Sequence, residues 1–298
     1  MSEGPDQQTT VLITGATDGL GRAAALLLAQ RGYRVFAAGR SEEKRSQLDI
    51  IARERKWSLE TLPMDVCDEA SVSTGVAQVL AKAGTIDVLI NNAGLAYVAT
   101  VEDMRMKDWR SQFETNFFGV IRVTQAILPH MRERRKGRIV MISSVSGLVT
   151  PPTQGAYSAT KHAMEGMSNA LRHELYPFGI ATVLIEPGYI VTGIQQAAME
   201  LAKPYEEKIK SGPYAKVYAG AWNGAKSSRA ASGTTAEDCA RIILRAIEAK
   251  NPKARYGVTP LATMVKWSKR LLPDSAIDRM IRRRYGIQRE MSGMASVD

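Results

Sequence analysis

Val11-Leu12-Ile13-Thr14-Gly15-Ala16-Thr17-Asp18-Gly19-Leu20-Gly21-Arg22 is the stretch on which the fold turns. Val11–Thr14 is an apolar, β-branched run of strand length, and Leu20–Arg31 carries helical apolar spacing that stops at Gly32. Between them, Gly15, Gly19 and Gly21 permit a tight turn and close backbone approach by a bound group. The free N–H groups that open the helix attract a pyrophosphate. Glycines at such spacing say little alone. Between a strand and a helix they mark a dinucleotide-binding unit.

The alternation continues outward. Arg34–Ala38 predicts a second strand, and Ser41 an N-cap with Glu42 and Glu43 in the first helical turn. Strands are predicted at Leu59–Val66, Asp87–Asn91, Arg138–Ser143, Ile180–Glu186 and Arg255–Val258. Helices are predicted at Glu69–Lys82 (closed by Gly84), Asp108–Arg135, Tyr157–Tyr176 and Thr235–Lys250. Such a series implies βαβ units and an α/β fold: a doubly wound, Rossmann-like parallel sheet covered by helices on both faces. No repeat or linker interrupts it, so residues 10–260 read as one catalytic domain. A disordered tail, residues 1–9, precedes it, and a basic helical extension, residues 261–298, follows. Residues 189–233 are rich in Gly, Lys and Tyr and weakly periodic. They read as a substrate lid over the sheet's carboxyl edge, where doubly wound folds hold their ligand.

Composition narrows the classes. Of 298 residues, 45% are hydrophobic and 23% charged, which excludes a disordered chain. Cys67 and Cys239 form neither a disulfide framework nor a zinc spacing, and His130, His162 and His173 lack ligand partners at useful spacing, so no metal is expected. The polar, acidic start, Met1 to Thr10, is unlike a signal peptide, and no apolar run approaches the ~18 residues of a transmembrane segment, so a cytoplasmic protein is expected. The net charge is +10. Two runs concentrate the cations: Arg132–Arg138, and Ala262–Gly286, where seven basic residues face Asp274 and Asp278. Neither carries a nucleic-acid motif, so no nucleic acid is expected as a partner. Two short amphipathic helices separated at Pro273 account for the second run. Their apolar faces are expected to cover the substrate cleft or a subunit partner, with peripheral membrane contact as the alternative.

The glycine turn reads TGxxxGxG, which resembles the short-chain dehydrogenase/reductase family. That resemblance places Thr14, Gly15, Thr17, Asp18, Gly19, Leu20 and Gly21 against a nicotinamide dinucleotide. At the end of the second strand, Gly39 stands where an NAD site needs a carboxylate for the ribose 2′-hydroxyl, and Arg40 follows with a fork suited to a 2′-phosphate. This favours NADP(H) over NAD(H). Asp18 dissents, standing where NADP-binding members often carry a basic or neutral residue. By resemblance Asp65 meets the adenine amino group with support from the Val66 backbone, and Asn92, Ala93 and Gly94 belong to the family's NNAG motif. Asn91 reads equally as a bracket between strand ends.

Tyr157 and Lys161, four apart, share a helical face. A free tyrosine titrates near ~10, and a neighbouring ammonium together with an oxidised nicotinamide would lower it toward neutrality. Ser144 lies thirteen residues before Tyr157, the family's spacing, with Ser143 as the competitor. Asn116 conflicts with its apolar helix, which marks a kink or a function; by resemblance it is the fourth catalytic residue, holding a water that links Lys161 to solvent. Pro187, Gly188, Ile190 and Thr192 match the segment that holds the nicotinamide carboxamide. The resemblance implies hydride transfer between cofactor and a carbonyl or secondary alcohol, with Tyr157 exchanging the proton. The aromatic lid, with Tyr189, Tyr205, Tyr214, Tyr218 and Trp222, suits a hydrophobic substrate or packs onto the sheet. Steroid-, retinoid- and ketoacyl-reductase-type members are the nearest in pattern, and a homodimer or homotetramer is expected. The rival reading is a non-catalytic NADP(H)-sensing protein on the same fold.

Overall fold

Short β-branched runs with every residue buried have only one stable home, the middle of a sheet covered on both sides. In the computed structural model, which describes residues 8–190 and 194–288, they take that place. Strands β1 (Thr10–Ile13), β2 (Arg34–Gly39), β3 (Leu59–Pro63), β4 (Val88–Asn91), β5 (Gly137–Ile142), β6 (Ile180–Glu186) and β7 (Arg255–Gly257) form one parallel sheet. Their order is β3-β2-β1-β4-β5-β6-β7. The order reverses between β1 and β4, and the carboxyl ends of these strands open a crevice there.

Helices α1 (Gly19–Gln30), α2 (Glu42–Arg55) and α10 (Ala236–Glu248) share a core with one face. Helices α3 (Glu69–Ala83), α5 (Gly119–Arg134) and α6 (Gly155–Glu174) share the core of the other face. Helix α1 presents Ala24, Ala25, Leu28 and Ala29 to the sheet, and such small side chains let the helix seat closely. Ser41 caps α2 by accepting from Lys44 N, and Thr235 with Asp238 forms a reciprocal capping box on α10.

Two expected elements differ. Strand β3 ends at Pro63 rather than Val66, because its partner β2 ends at Gly39 and leaves the following residues unpaired. Asp65 and Val66 therefore sit in the turn after the strand. The long helix expected over Asp108–Arg135 is divided: α4 spans Met106–Phe113, a π-helical turn spans Glu114–Phe118, and α5 continues from Gly119. The conflict at Asn116 is resolved in that turn.

The carboxyl-edge segment carries α7 (Ile194–Ala202), α8 (Glu206–Ser211) and α9 (Ala215–Ser232), and the tail carries α11 (Pro260–Leu271) and α12 (Asp274–Arg284). The expected N-terminal tail lies largely outside the described residues, as do residues 289–298 of the extension. The first basic run is structural. Arg134 pairs with Asp87 at 2.9 Å, and Arg138 donates to the carbonyls of Ala246 at 2.7 Å and Ala249 at 2.9 Å, at the C-terminal end of α10.

Candidate active site

On the β1–β2 side, the glycine turn and the loop after β4 are tied into one unit. Asn92 Nδ2 donates to the carbonyls of Thr14 at 3.0 Å and Gly15 at 2.9 Å. Thr14 Oγ1 accepts from the N–H groups of Asn92 and Ala93, both at 3.1 Å. Gly15 has φ +61°, and a Cβ on Gly21 would stand 2.3 Å from the Gly15 carbonyl oxygen, so both positions require glycine. The result is a backbone cradle at a helix N-terminus, a fit for a dinucleotide's pyrophosphate.

The outer rim lies beyond this cradle, at the carboxyl end of β2. Asp18 caps α1 by accepting from Gly19 N at 2.7 Å and is ion-paired with Lys44, which holds its carboxyl below the ordinary range. The dissenting charge of Asp18 is thus offset by a cation that sequence reasoning had not assigned to the site. Lys44 stands four residues past Arg40, and that spacing was the available signal. A Cβ on Gly39 would meet Thr17 Cγ2 at 2.5 Å, so a larger side chain enters there only if the Thr17 side chain shifts. Arg40 is exposed, its guanidinium 3.8 Å from Asp65, whose other oxygen accepts from Cys67 N at 3.0 Å. The Val66 carbonyl accepts from Arg122 at 2.6 Å. Asn91 is a bracket, donating to Thr124 Oγ1 at 3.0 Å.

On the β4–β5–β6 side, the π turn places Asn116 fully inside. Its amide accepts from Leu95 N and donates to Leu95 O, both at 2.9 Å, and approaches Thr160 Oγ1 at 3.4 Å. Thr160 lies on α6 between Tyr157 and Lys161. A π turn inside an α-helical run is often associated with a functional position. Lys161 is buried; its Nζ donates to the Ile142 carbonyl at 2.7 Å and lies 5.6 Å from the centre of the Tyr157 ring. Burial pushes the ammonium down to about 8, opposed by the charge of Glu165. Burial likewise pushes the Tyr157 phenol above its ordinary value, with a hydrogen bond to Ser144 opposing. The lowering expected from sequence is therefore absent among the protein's own groups, because desolvation outweighs them.

Ser144, rather than Ser143, stands beside Tyr157. The Ser143 hydroxyl donates to the buried Glu165 carboxylate. Glu165 in turn pairs with Arg255 of β7, whose guanidinium reaches Glu186 at 2.7 Å and Asn169 at 3.3 Å. Burial raises the Glu165 pKa, and both Ser143 and Arg255 oppose that shift. This group was missed from sequence, although Glu165 follows Lys161 at the same interval by which Lys161 follows Tyr157.

After β6, the Pro187 carbonyl accepts from Val145 N at 2.9 Å, and the buried Ile190 accepts through its carbonyl from Gln195 at 2.6 Å. A Cβ on Gly188 would stand 2.3 Å from Thr259 Oγ1, the cap of α11. Thr192 lies outside the described residues. The lid divides by role. Tyr205 donates to Asp108, and Tyr218 donates to Asp103 at 2.9 Å; both rings are buried. Met199 and Trp222 are exposed. Beneath the lid, Tyr97, Ala99, Met104, Ala156 and Tyr205 form a separate apolar cluster beside the start of α6.

Known proteins are similar to this chain. Residues 9–202 match the family profile described as short chain dehydrogenase. A 3-ketodihydrosphingosine reductase of Bacteroides thetaiotaomicron is 33% identical, over 95% of this chain and 100% of its own. An NADPH-dependent 3-dehydrocapnine reductase of Ornithobacterium rhinotracheale is 33% identical, over 90% of this chain and 94% of its own. Among solved structures, a short-chain dehydrogenase from Streptomyces avermitilis superposes with a TM-score of 0.72 at 28% identity, over 95% of this chain and 100% of that one.

Proposed function

The chain belongs to the short-chain dehydrogenase family, and from that premise we propose an NADP(H)-dependent oxidoreductase that acts on a carbonyl or secondary alcohol of a hydrophobic substrate. The observation that carries the chemistry is the convergence of Ser144, Tyr157 and Lys161, with Asn116 behind them, at the crevice beyond β4 and β5. When bound, the cofactor supplies or takes the hydride at nicotinamide C4. Tyr157 gives a proton to the substrate oxygen in reduction and accepts one in oxidation. Ser144 hydrogen-bonds the same oxygen. Lys161 holds the nicotinamide ribose and, as an ammonium, eases proton release from Tyr157. Asn116, fixed to Leu95 and facing Thr160, keeps the relay behind Lys161 in register. Pro187, Gly188 and Ile190 would hold the carboxamide, with Thr192 assigned there by the family pattern alone.

Preference for NADP(H) is supported by the rim. Gly39 carries no carboxylate for a ribose 2′-hydroxyl, and the exposed Arg40 supplies a cation for a 2′-phosphate while Lys44 neutralises Asp18. The exposed Met199 and Trp222 of the carboxyl-edge segment support a hydrophobic substrate, and two relatives are named as reductases of 3-keto and 3-dehydro compounds. The working form in this reading is a cytoplasmic homodimer or homotetramer; among the described residues no helix is long and apolar enough to cross a membrane.

The test is NADPH consumption against a panel of aldehydes and of short- and long-chain ketones. Turnover with the apolar ketones, and NADPH bound at least about tenfold more tightly than NADH, is expected. NADPH binding without turnover on any substrate class would favour the sensing protein instead.

A further inference from the structure

Helices α11 and α12 use one face to hold the body and leave another unpartnered. Ala262 and Ile277 are buried, with Leu261, Val265 and Ser268 half-buried beside them. Met264, Trp267 and Leu271, spaced i, i+3 and i+7, form a second stripe that is 52%, 52% and 72% exposed. Leu272 extends it, and Met280 on α12 is also exposed. Monomeric soluble proteins scatter such residues singly; grouped on one helix they mark a contact surface.

Charge identifies what the surface meets. Lys266, Lys269, Arg270, Arg279, Arg282 and Arg283 are exposed on the same two helices. Among the described residues of the tail both carboxylates are ion-paired, Asp274 with Lys269 at 2.8 Å and Asp278 with Arg282 at 3.3 Å. Arg279, Arg282 and Arg283 also line an open depression of about 590 Å³. A second copy meeting this face with its own copy of it would bring like charges together, because among the described residues of the two helices cations outnumber carboxylates seven to two. A bilayer rich in anionic lipid reverses that sign and gives the tryptophan, methionine and leucine stripe an apolar phase to enter. The first basic run differs: Arg134 pairs with Asp87, and Arg135 and Arg138 donate to backbone carbonyls.

We infer that α11 and α12 form a peripheral docking surface for an anionic phospholipid bilayer, with the stripe Met264–Trp267–Leu271 entering the interface and the flanking cations reading the headgroups. Because Thr259, the cap of α11, lies against Gly188, a docked tail sits at the carboxamide end of the crevice. The inference does not depend on the redox reading, since binding is measured without substrate.

Flotation of the full chain with vesicles tests it, using phosphatidylcholine alone and phosphatidylcholine mixed with phosphatidylserine. Binding is expected to the mixed vesicles only, and to be lost as salt rises from about 0.1 M to about 1 M, where the screening length falls from about 10 Å to about 3 Å. Replacing Arg279, Arg282 and Arg283 together by glutamine should weaken binding about a hundredfold, at about fivefold per cation. Trp267→Ser with Leu271→Ser should weaken it about tenfold or more. Both variants should bind NADPH and melt as the parent does, which separates docking from folding. Protein remaining in the supernatant with mixed vesicles at low salt overturns the inference, as does equal binding to phosphatidylcholine alone. A Trp267/Leu271 variant that floats like the parent but sediments as a smaller oligomer assigns the stripe to a second copy, and also overturns it.

Discussion

On the β1–β2–β3 side of the carboxyl edge the charged groups stand in solvent: the Arg40 side chain is 70% exposed, and the Asp18–Lys44 pair is about half so. On the β4–β5–β6 side, Asn116, Lys161, Glu165 and Glu186 are all buried, and each spends its polar atoms on a named partner or, for Glu186, on Arg255 alone. The exposed rim recognises by complementarity; each of its contacts is weak and tolerant of change. The enclosed side holds groups whose solvation has been given up, so removing one partner strands the other. Nucleotide preference and chemistry should therefore fail at very different energetic scales.

The largest expected effect lies in the enclosed half. Arg255→Met leaves Glu165 and Glu186 buried without their ion-pair partner and should cost about 3–5 kcal/mol of stability in urea unfolding. A loss under about 1 kcal/mol would mean that the two carboxyls are neutral in the native protein, and the contrast with the rim would break. Lys161 gives the next effect, and its sign is fixed. Below pH about 8 both folded and unfolded chains carry the ammonium, and the fold bears the whole cost of burying it. Between about 8 and the ordinary 10.5 the unfolded chain binds more protons, so this contribution rises with pH. Unfolding of the parent, compared with Lys161→Met, should therefore gain about 3 kcal/mol across that window. A flat or falling difference would show that Lys161 is not desolvated.

Effects at the rim should be smaller. Arg40→Asp should narrow or invert a tenfold preference for NADPH, about 1.4 kcal/mol, without changing the melting temperature; titration of both nucleotides into parent and variant reads it. A smaller change still is expected for Ser143→Ala, about 1 kcal/mol of stability with turnover largely kept, because Arg255 continues to hold Glu165. Ser144→Ala should do the reverse, keeping stability and losing turnover. If the two serines exchange these behaviours, their roles are exchanged as well.

Much of this layout was legible in the chain. The strand runs, the glycine turn and the helix stops are local signals, and they place the crevice without any tertiary information. Asn116 announced itself as a polar residue in an apolar helix, and the structure answers with a π turn that no periodicity could specify. Pro273 likewise separates the two tail helices. What was hidden is what depends on distant residues. Glu165 and Arg255 are 90 positions apart, and Tyr205 and Asp108 are 97 apart, so neither pairing leaves a local pattern. The end of β3 is set by where β2 stops. Spacing reveals the lysine beside Tyr157 but not the burial that, among the protein's own groups, raises the phenol.

The division between an enclosed half that reacts and an open half that recognises is tested most directly by Tyr157→Phe, measured for NADPH affinity and for turnover on one preparation. Removing the phenolic proton while keeping the ring should leave NADPH affinity unchanged and lower turnover at least about a hundredfold. Retained turnover would place the acid elsewhere, and parallel loss of binding and turnover would show that the two halves are not separate at all.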